Sequence, residues 1–410
     1  MATPVPVITG IGVVCSLGAT REAFWEALAS GRSGIGPVDL FDVSGYRSQI
    51  GAQVRGVDLG APSPLPDWPR LGRGDRLGLI AAEQAIGDAR LLERGLHHHC
   101  IAVILGGGSG GVLEAERYRR QLHSGKKPPP SQLIPFPVCH LTDLIGNRYG
   151  FRGVRSTVAT ACSSSATAIG YAADLIRSGR AEAVIAGASE SLTELTFSGF
   201  NSLRSLDPET CRPFDRNRQG LVLGEGACIL VMESHERAQG DGCPIYGAVL
   251  GYGISADAHH MTSPHPEGDG AVRCMEAALA QARLTTDAVD AINAHGTGTL
   301  VNDRVETLAI KRVFGSRAFR IPVSSTKSVH GHCLGAAGAI EAAAAILSLH
   351  HGMVPATCHL RVPDPACDLD YVAEGPRRLE TGVALSNSFA FGGNNTTLVL
   401  ARWPIDPGWL

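Results

Sequence analysis

Two segments built almost entirely from small residues limit what this chain can fold into. ACSSSATAIGYAADLIRSGRAE spans 161–182 and GHCLGAAGAIEAAAAILSLHHG spans 331–352. Each is apolar nearly all round for its first three turns, whereas a surface helix carries a single apolar stripe. Both are therefore predicted to be buried helices, and their small side chains let two such helices approach closely. One begins at a cysteine and the other at a histidine, which reads as His332 matching Cys162 in an internally duplicated chain. The division is expected within 240–260, after VMESHERAQGDG, where polar residues and glycine concentrate. The halves are set at 1–250, with capping insertions and Cys162, and 251–410, with His295 and His332.

Short apolar runs bounded by glycine recur around these helices: PVPVITGIGVV, CIAVILGGG, AEAVIAGAS, ACILVME, IYGAVLGYG, AVDAINAHG, FRIPVSS, GVALSNSFAF and TTLVLAR. Their length and composition predict buried strands. Between them lie helical patterns such as REAFWEALASG, LGLIAAEQAIGDARLL, AVRCMEAALAQARL and DRVETLAIKRVFG. The alternation predicts an α/β layered fold with both sheet faces covered. Residues 55–75 and GKKPPPSQ (125–132) read as loops, the second within a segment capping the first half.

Apolar residues make up 44% of the 410 and charged ones 18%, which fits a packed globule. A net charge of −3 gives no reason to expect nucleic acid or an anionic membrane as partner, while leaving room for a local basic patch. No charge-free apolar stretch is long enough to predict a membrane span. MATPVPVITGIGVV lacks a basic n-region, so no signal peptide is read and a cytoplasmic protein is expected. The eleven cysteines show no CxxC pair or metal-like grouping and read as reduced thiols. HHH at 97–99 reads as a loop before a strand, and no metal site is expected.

Cys162 lies between a β-branched segment and the first buried helix. A helix N-terminus stabilises thiolate and presents backbone N–H groups to a developing oxyanion. His295 follows a strand in NAHGTGT, where Thr297 and Thr299 are placed to hydrogen-bond a polar ligand chain. TKSVHGHCLGAAGAIE supplies Lys327, His330, His332 and Glu341; burying Lys327 or Glu341 alone is costly, so they are expected to form one buried pair. FAFGGNN, 389–395, follows a strand, and its backbone N–H groups are candidates to complete an oxyanion hole, with Phe391 a candidate gate. GGGSGG at 106–111 and the N-terminal TGIG lack the setting of a dinucleotide-binding turn.

A cysteine and two histidines admit two chemistries. In a cysteine hydrolase a histidine activates the thiol and water completes the reaction. In carbon–carbon bond formation from thioesters, the cysteine holds an acyl group while neutral histidines stabilise an enolate. A dry site lined by small apolar residues favours the second, because water would hydrolyse the acyl intermediate.

Taken together, VITGIGVVCSLG, TACSS, RPFDRNRQGLVLGEGA, GYGISADAHHMTSP, NAHGTGT, DRVET, STKS with GH and LGAAGAIE, and NSFAFGGNN resemble the β-ketoacyl-acyl-carrier-protein synthases, most closely the elongating synthase II branch. The resemblance implies a duplicated thiolase-like fold, a five-layer αβαβα sandwich that dimerises. It implies decarboxylative condensation of an acyl group with malonyl-acyl-carrier protein, in fatty-acid or polyketide chain elongation. The alternatives are the ketosynthase subunit of a heterodimer with a chain-length factor, or a noncatalytic scaffold of the same fold, against which Cys162 and both histidines argue. Cys162 is then the nucleophile, His295 and His332 the decarboxylation pair, and Lys327 with Glu341 their support. The N–H groups of Cys162 and Phe391 would form the oxyanion hole. Thr297, Thr299, Phe389, Gly392 and Gly393 would contact substrate. No tightly bound cofactor is implied; phosphopantetheine arrives on the acyl carrier protein, and the second subunit is another copy or a chain-length-factor homologue.

The chain departs from the family pattern at several positions. Ser109 stands where a bulky apolar residue commonly floors the acyl pocket, which predicts a longer pocket or an unusual chain. Ala390 and Asn394 replace a glycine and a threonine, the first expected to stiffen the gating loop. His330 replaces a threonine two residues before His332, a change expected to tune substrate or orientation. The resulting HGHC is similar to ketosynthases of specialised metabolism, including nodulation-type ones.

Overall fold

A computed structural model describes residues 4–59, 68–378 and 382–406. In the main ten-stranded sheet, the first-half strands are β1 (Pro6–Cys15), β2 (Ile101–Gly106), β3 (Arg155–Val158), β4 (Ala183–Glu190) and β5 (Gly226–Ser234). Those of the second half are β6 (Gly247–Ala256), β7 (Ala291–Asn293), β8 (Val323–Ser324), β9 (Val383–Phe389) and β10 (Asn394–Arg402). The expected division at 250/251 falls inside β6.

The strand order is β3-β2-β4-β5-β1 in the first half and β8-β7-β9-β10-β6 in the second. β2 runs parallel to β3 and β4, as β7 does to β8 and β9. β5 is antiparallel to β4 and β1, and β10 to β9 and β6. The same order with the same strand directions occurs twice, which is the duplication read from the paired helices. The halves meet where β1 pairs with β6 at Val7–Ala248 and Ile8–Gly247.

Helices α1 (Arg73–Asp88), α2 (Ser164–Arg177), α3 (Asp269–Ala282), α4 (Leu300–Phe314) and α5 (Ala337–His351) complete the layers. α1 covers β1, β4 and β5 from outside; α3 covers β6 and β10, with α4 beside it. α2 and α5 lie between the halves, each touching strands of both. The result is the expected five-layer αβαβα sandwich. Strands covered on both faces need continuous apolar runs rather than alternation, and all ten residues of β1 are buried. β3 escaped the strand reading because RSTV is a short, polar, half-buried edge. The loop expected over 55–75 lies partly outside the described residues; among the rest, Trp68–Arg70 forms a 3-10 turn before α1.

α2 and α5 pack as their composition predicts. A Cβ at Gly338 would lie 2.8 Å from the backbone nitrogen and the Cβ of Ala166. Ser165 Oγ accepts from the Ala339 N–H at 2.8 Å, tying the two helix starts together. Gly338→Val is therefore expected to cost about 1–3 kcal/mol by overpacking. Denaturant unfolding measures it, and an unchanged midpoint would mean that the helices do not touch there.

The register of the duplication differs from the expected one. Each central helix is preceded by a 3-10 turn whose first residue has positive φ, Ala161 at 52° and Leu334 at 49°. This matches Cys162 with Gly335, so His332 stands three residues ahead of the equivalent position. A run of small residues reveals burial, but the backbone turn sets the register.

Candidate active site

Cys162 sits in the 3-10 turn at the head of α2 and is 7% exposed. Its helix-start position favours thiolate, yet burial dominates and pushes the thiol up to about 11. Lys327 and the Phe391 backbone N–H, which hydrogen-bonds the sulfur, pull the other way. Alkylation of the Cys162 peptide by iodoacetamide should therefore keep accelerating above pH 9. A plateau below pH 8 would indicate a stabilised thiolate instead.

His295 projects from the end of β7 on a loop pinned by two acids of α4. Glu306 accepts from the backbone N–H groups of His295 and Gly296, both at 2.8 Å. Asp303 accepts from Gly298 N–H at 3.2 Å and pairs with Arg218. Burial raises both carboxyls, Glu306 to about 6. Lys327 Nζ donates to Nδ1 of His295 at 3.3 Å, which leaves the ring proton on Nε2.

His332 lies in an extended segment clamped to the stretch Val222–Gly224. Its N–H donates to Val222 O at 2.7 Å, and its carbonyl accepts from Gly224 N–H at 2.9 Å. The Leu334 N–H donates to His332 Nδ1 at 3.1 Å, so this ring also carries its proton on Nε2. The two rings stand 5.3 Å apart at 84°. Burial, followed by the charge of Lys327, holds both well below the usual histidine range. Both are neutral donors.

Lys327 and Glu341 are fully buried and ion-paired, as expected. Burial pushes Glu341 up to about 7 against the pull of Lys327. Removing one member would strand the other, at about 3–5 kcal/mol.

Cys162, His295 and His332 line one cavity of about 290 Å³, together with Thr297, Thr299, Phe389 and Phe391. The two threonine hydroxyls bond each other at 2.9 Å. Phe391 stacks on Phe200, centroids 5.5 Å apart, at the cavity wall. Gly392 and Gly393 are not among the lining residues. They turn the loop at φ 83° and 75°, and a Cβ on Gly393 would meet Asp257 Cβ at 2.7 Å. Gly392 N–H donates to Met261 O, and Asp257 N–H to Gly393 O. Ala390 is extended (φ −117°, ψ 154°), a conformation any residue adopts, so its methyl adds no backbone strain.

Ser109 is also outside the lining. Its backbone N–H donates to Glu190, which holds the GGGSGG turn. His330 is fully buried and faces away from the cavity, bonded to Thr326 and Gly331. Asp303 and Glu306, within the quoted DRVET, received no role from sequence. Two acids three apart on a helix after a glycine loop were the available signal. Phe200 gave none. Among the described residues, no helix is long and apolar enough to cross a membrane.

Two sequence profiles cover most of the chain: the β-ketoacyl synthase N-terminal domain matches residues 4–238 and the C-terminal domain residues 246–361. The chain belongs to the β-ketoacyl synthase family. This synthase is 40% identical to 3-oxoacyl-[acyl-carrier-protein] synthase 2 of a Synechocystis strain, over 97% of its own chain and 98% of the relative. It is equally 40% identical to nodulation protein E of Rhizobium meliloti, with the same coverage. Identity therefore does not separate a general from a specialised synthase. The solved ishigamide ketosynthase/chain length factor is 34% identical, with TM-score 0.93, over 98% of this chain and all of that one.

Proposed function

We propose that this synthase condenses an acyl group held on Cys162 with malonyl-acyl-carrier protein, giving β-ketoacyl-acyl-carrier protein and carbon dioxide. One observation carries the reading: a thiol and the Nε2–H groups of two neutral histidines line the same buried cavity. The Cys162 sulfur attacks the thioester carbonyl of acyl-phosphopantetheine. The acyl–Cys162 bond forms, the pantetheine sulfur leaves, and the thiol proton ends on it. Malonyl-carrier follows, and its carbon–carboxylate bond breaks as carbon dioxide departs. The electron pair moves into an enolate whose oxygen accepts from His295 and His332.

The enolate carbon then attacks the acyl carbonyl. The N–H groups of Cys162 and Phe391 hold the oxyanion, and collapse expels the Cys162 thiolate. Thr297 and Thr299 line the phosphopantetheine path. Neutral rings suit this chemistry because a neutral Nδ1 still accepts from its positioning donor.

Purified protein supplied with acyl- and malonyl-carrier proteins should release carbon dioxide and yield a β-ketoacyl-carrier two carbons longer, both read by mass spectrometry. Release of free fatty acid without condensation would overturn the reading in favour of a thioester hydrolase. Likeness to a ketosynthase/chain length factor supports a second arrangement, in which this chain is the active half of a heterodimer. Activity of the chain purified alone separates it from a homodimer.

A further inference from the structure

We propose that His330 is a positioning residue, a strut that fixes His332 and Lys327 relative to each other. Its imidazole joins the residues that precede the two active groups in sequence, one through its backbone and one through its side chain. Nδ1 lies 2.8 Å from the carbonyl oxygen of Gly331, the residue before His332. Nε2 lies 2.9 Å from the hydroxyl of Thr326, the residue before Lys327.

A carbonyl only accepts, so Nδ1 carries the proton and Nε2 accepts from Thr326. The ring is fully buried, and burial lowers it to about 3, so this bonding pattern persists across the working pH range. Gly331 needs holding: it turns the chain at φ 67° and ψ −172°, between the one-turn helix Lys327–His330 and the extended His332. The His330 carbonyl adds a third tie, accepting weakly from the Cys333 thiol at 3.7 Å. Threonine, the usual family residue here, has one hydroxyl and cannot replace nitrogens on opposite edges of a ring. This chain thus uses an imidazole where the family pattern has a hydroxyl. The consequence falls on His332, whose Nε2–H must meet the enolate oxygen; loosening Gly331 misaims it without touching Cys162.

The inference rests on the proposed condensation, and its test separates the two. Wild-type protein, His330→Ala and His330→Asn are compared for acyl loading of Cys162 and for decarboxylation of malonyl-carrier, each normalised to folded protein by circular dichroism. Absence of decarboxylation in the wild type sinks the proposed function. With an active wild type, His330→Ala should lower the ratio of decarboxylation to loading about tenfold, in kcat rather than KM. His330→Asn retains an amide N–H near the Nδ1 position for Gly331 O but loses the acceptor for Thr326, so it should recover the ratio in part. An unchanged ratio in His330→Ala overturns the strut, because a purely structural role moves both half-reactions together. An equal fall in His330→Asn also overturns it, by assigning the loss to ring volume.

Discussion

Cys162→Ala is expected to reduce acyl loading from acyl-carrier protein to background, a loss on the order of 10⁴–10⁶-fold. The thiol is the sole cysteine sulfur lining the catalytic cavity among the described residues, although the chain has eleven cysteines. Cys333 stands next to His332 in sequence, but it is fully buried outside that cavity and burial pushes its thiol well up. The substitution removes one sulfur and leaves the backbone N–H groups and both histidines in place. Decarboxylation of malonyl-carrier should therefore fall far less than loading. Intact-mass spectrometry after incubation with acyl-carrier protein reads the result directly. Stoichiometric loading of the alanine variant would place the nucleophile elsewhere and sink the assignment.

Removing either histidine should produce the opposite split. His295→Ala and His332→Ala each delete one of two N–H donors aimed at the enolate oxygen, and the loss of such a donor costs about 10²–10³-fold. Loading should survive in both, since neither ring bonds the Cys162 sulfur in the resting site. His295→Ala has a second consequence: Lys327 loses its contact with Nδ1 and keeps Glu341 alone. The wild-type pH profile follows from the same geometry. Burial and Lys327 shift both rings well below 6.5, so protonation sets in only far on the acid side. The two rings therefore add no inflection between about pH 8 and 6. Glu341, which burial holds at about 7 beside Lys327, is expected to give a break near pH 7. A break near pH 6.5 that persists in Glu341→Gln and Glu306→Gln would mean that a solvated imidazole takes part.

The buried helices, the strands around them and the α/β class were readable from the chain because burial leaves a local mark. A run such as GAAGAIEAAAAIL has no polar face to offer water, and only an interior position suits it. Lys327 and Glu341 were legible as a pair for a related reason, since charges within such runs need each other. β3 was not legible, because an edge strand of four half-buried residues carries too little apolar signal. Ser109 was read as pocket floor from its motif position; the fold shows its backbone N–H held by Glu190 and its side chain outside the lining of the cavity that Cys162 shares with the histidines. Asp303 and Glu306 stood in the sequence as a helical acid pair, but their task depends on where the His295 loop ends in space.

The sequence by itself determined the duplicated α/β architecture, its two buried helices and the residue types at their heads. It also named Cys162, His295 and His332 as the candidates for chemistry. Only the folded chain settled the register that matches Cys162 with Gly335, the side of each imidazole that carries its proton, and the placing of His330 outside the catalytic cavity. The physical reason is range. Burial and periodicity are properties of a dozen neighbouring residues, whereas a tautomer is set by one particular partner and a buried thiol's pKa by how completely the finished fold excludes water. Lys327 beside His295 decides the first, and the burial of Cys162, only partly offset by Lys327 and the Phe391 N–H, decides the second.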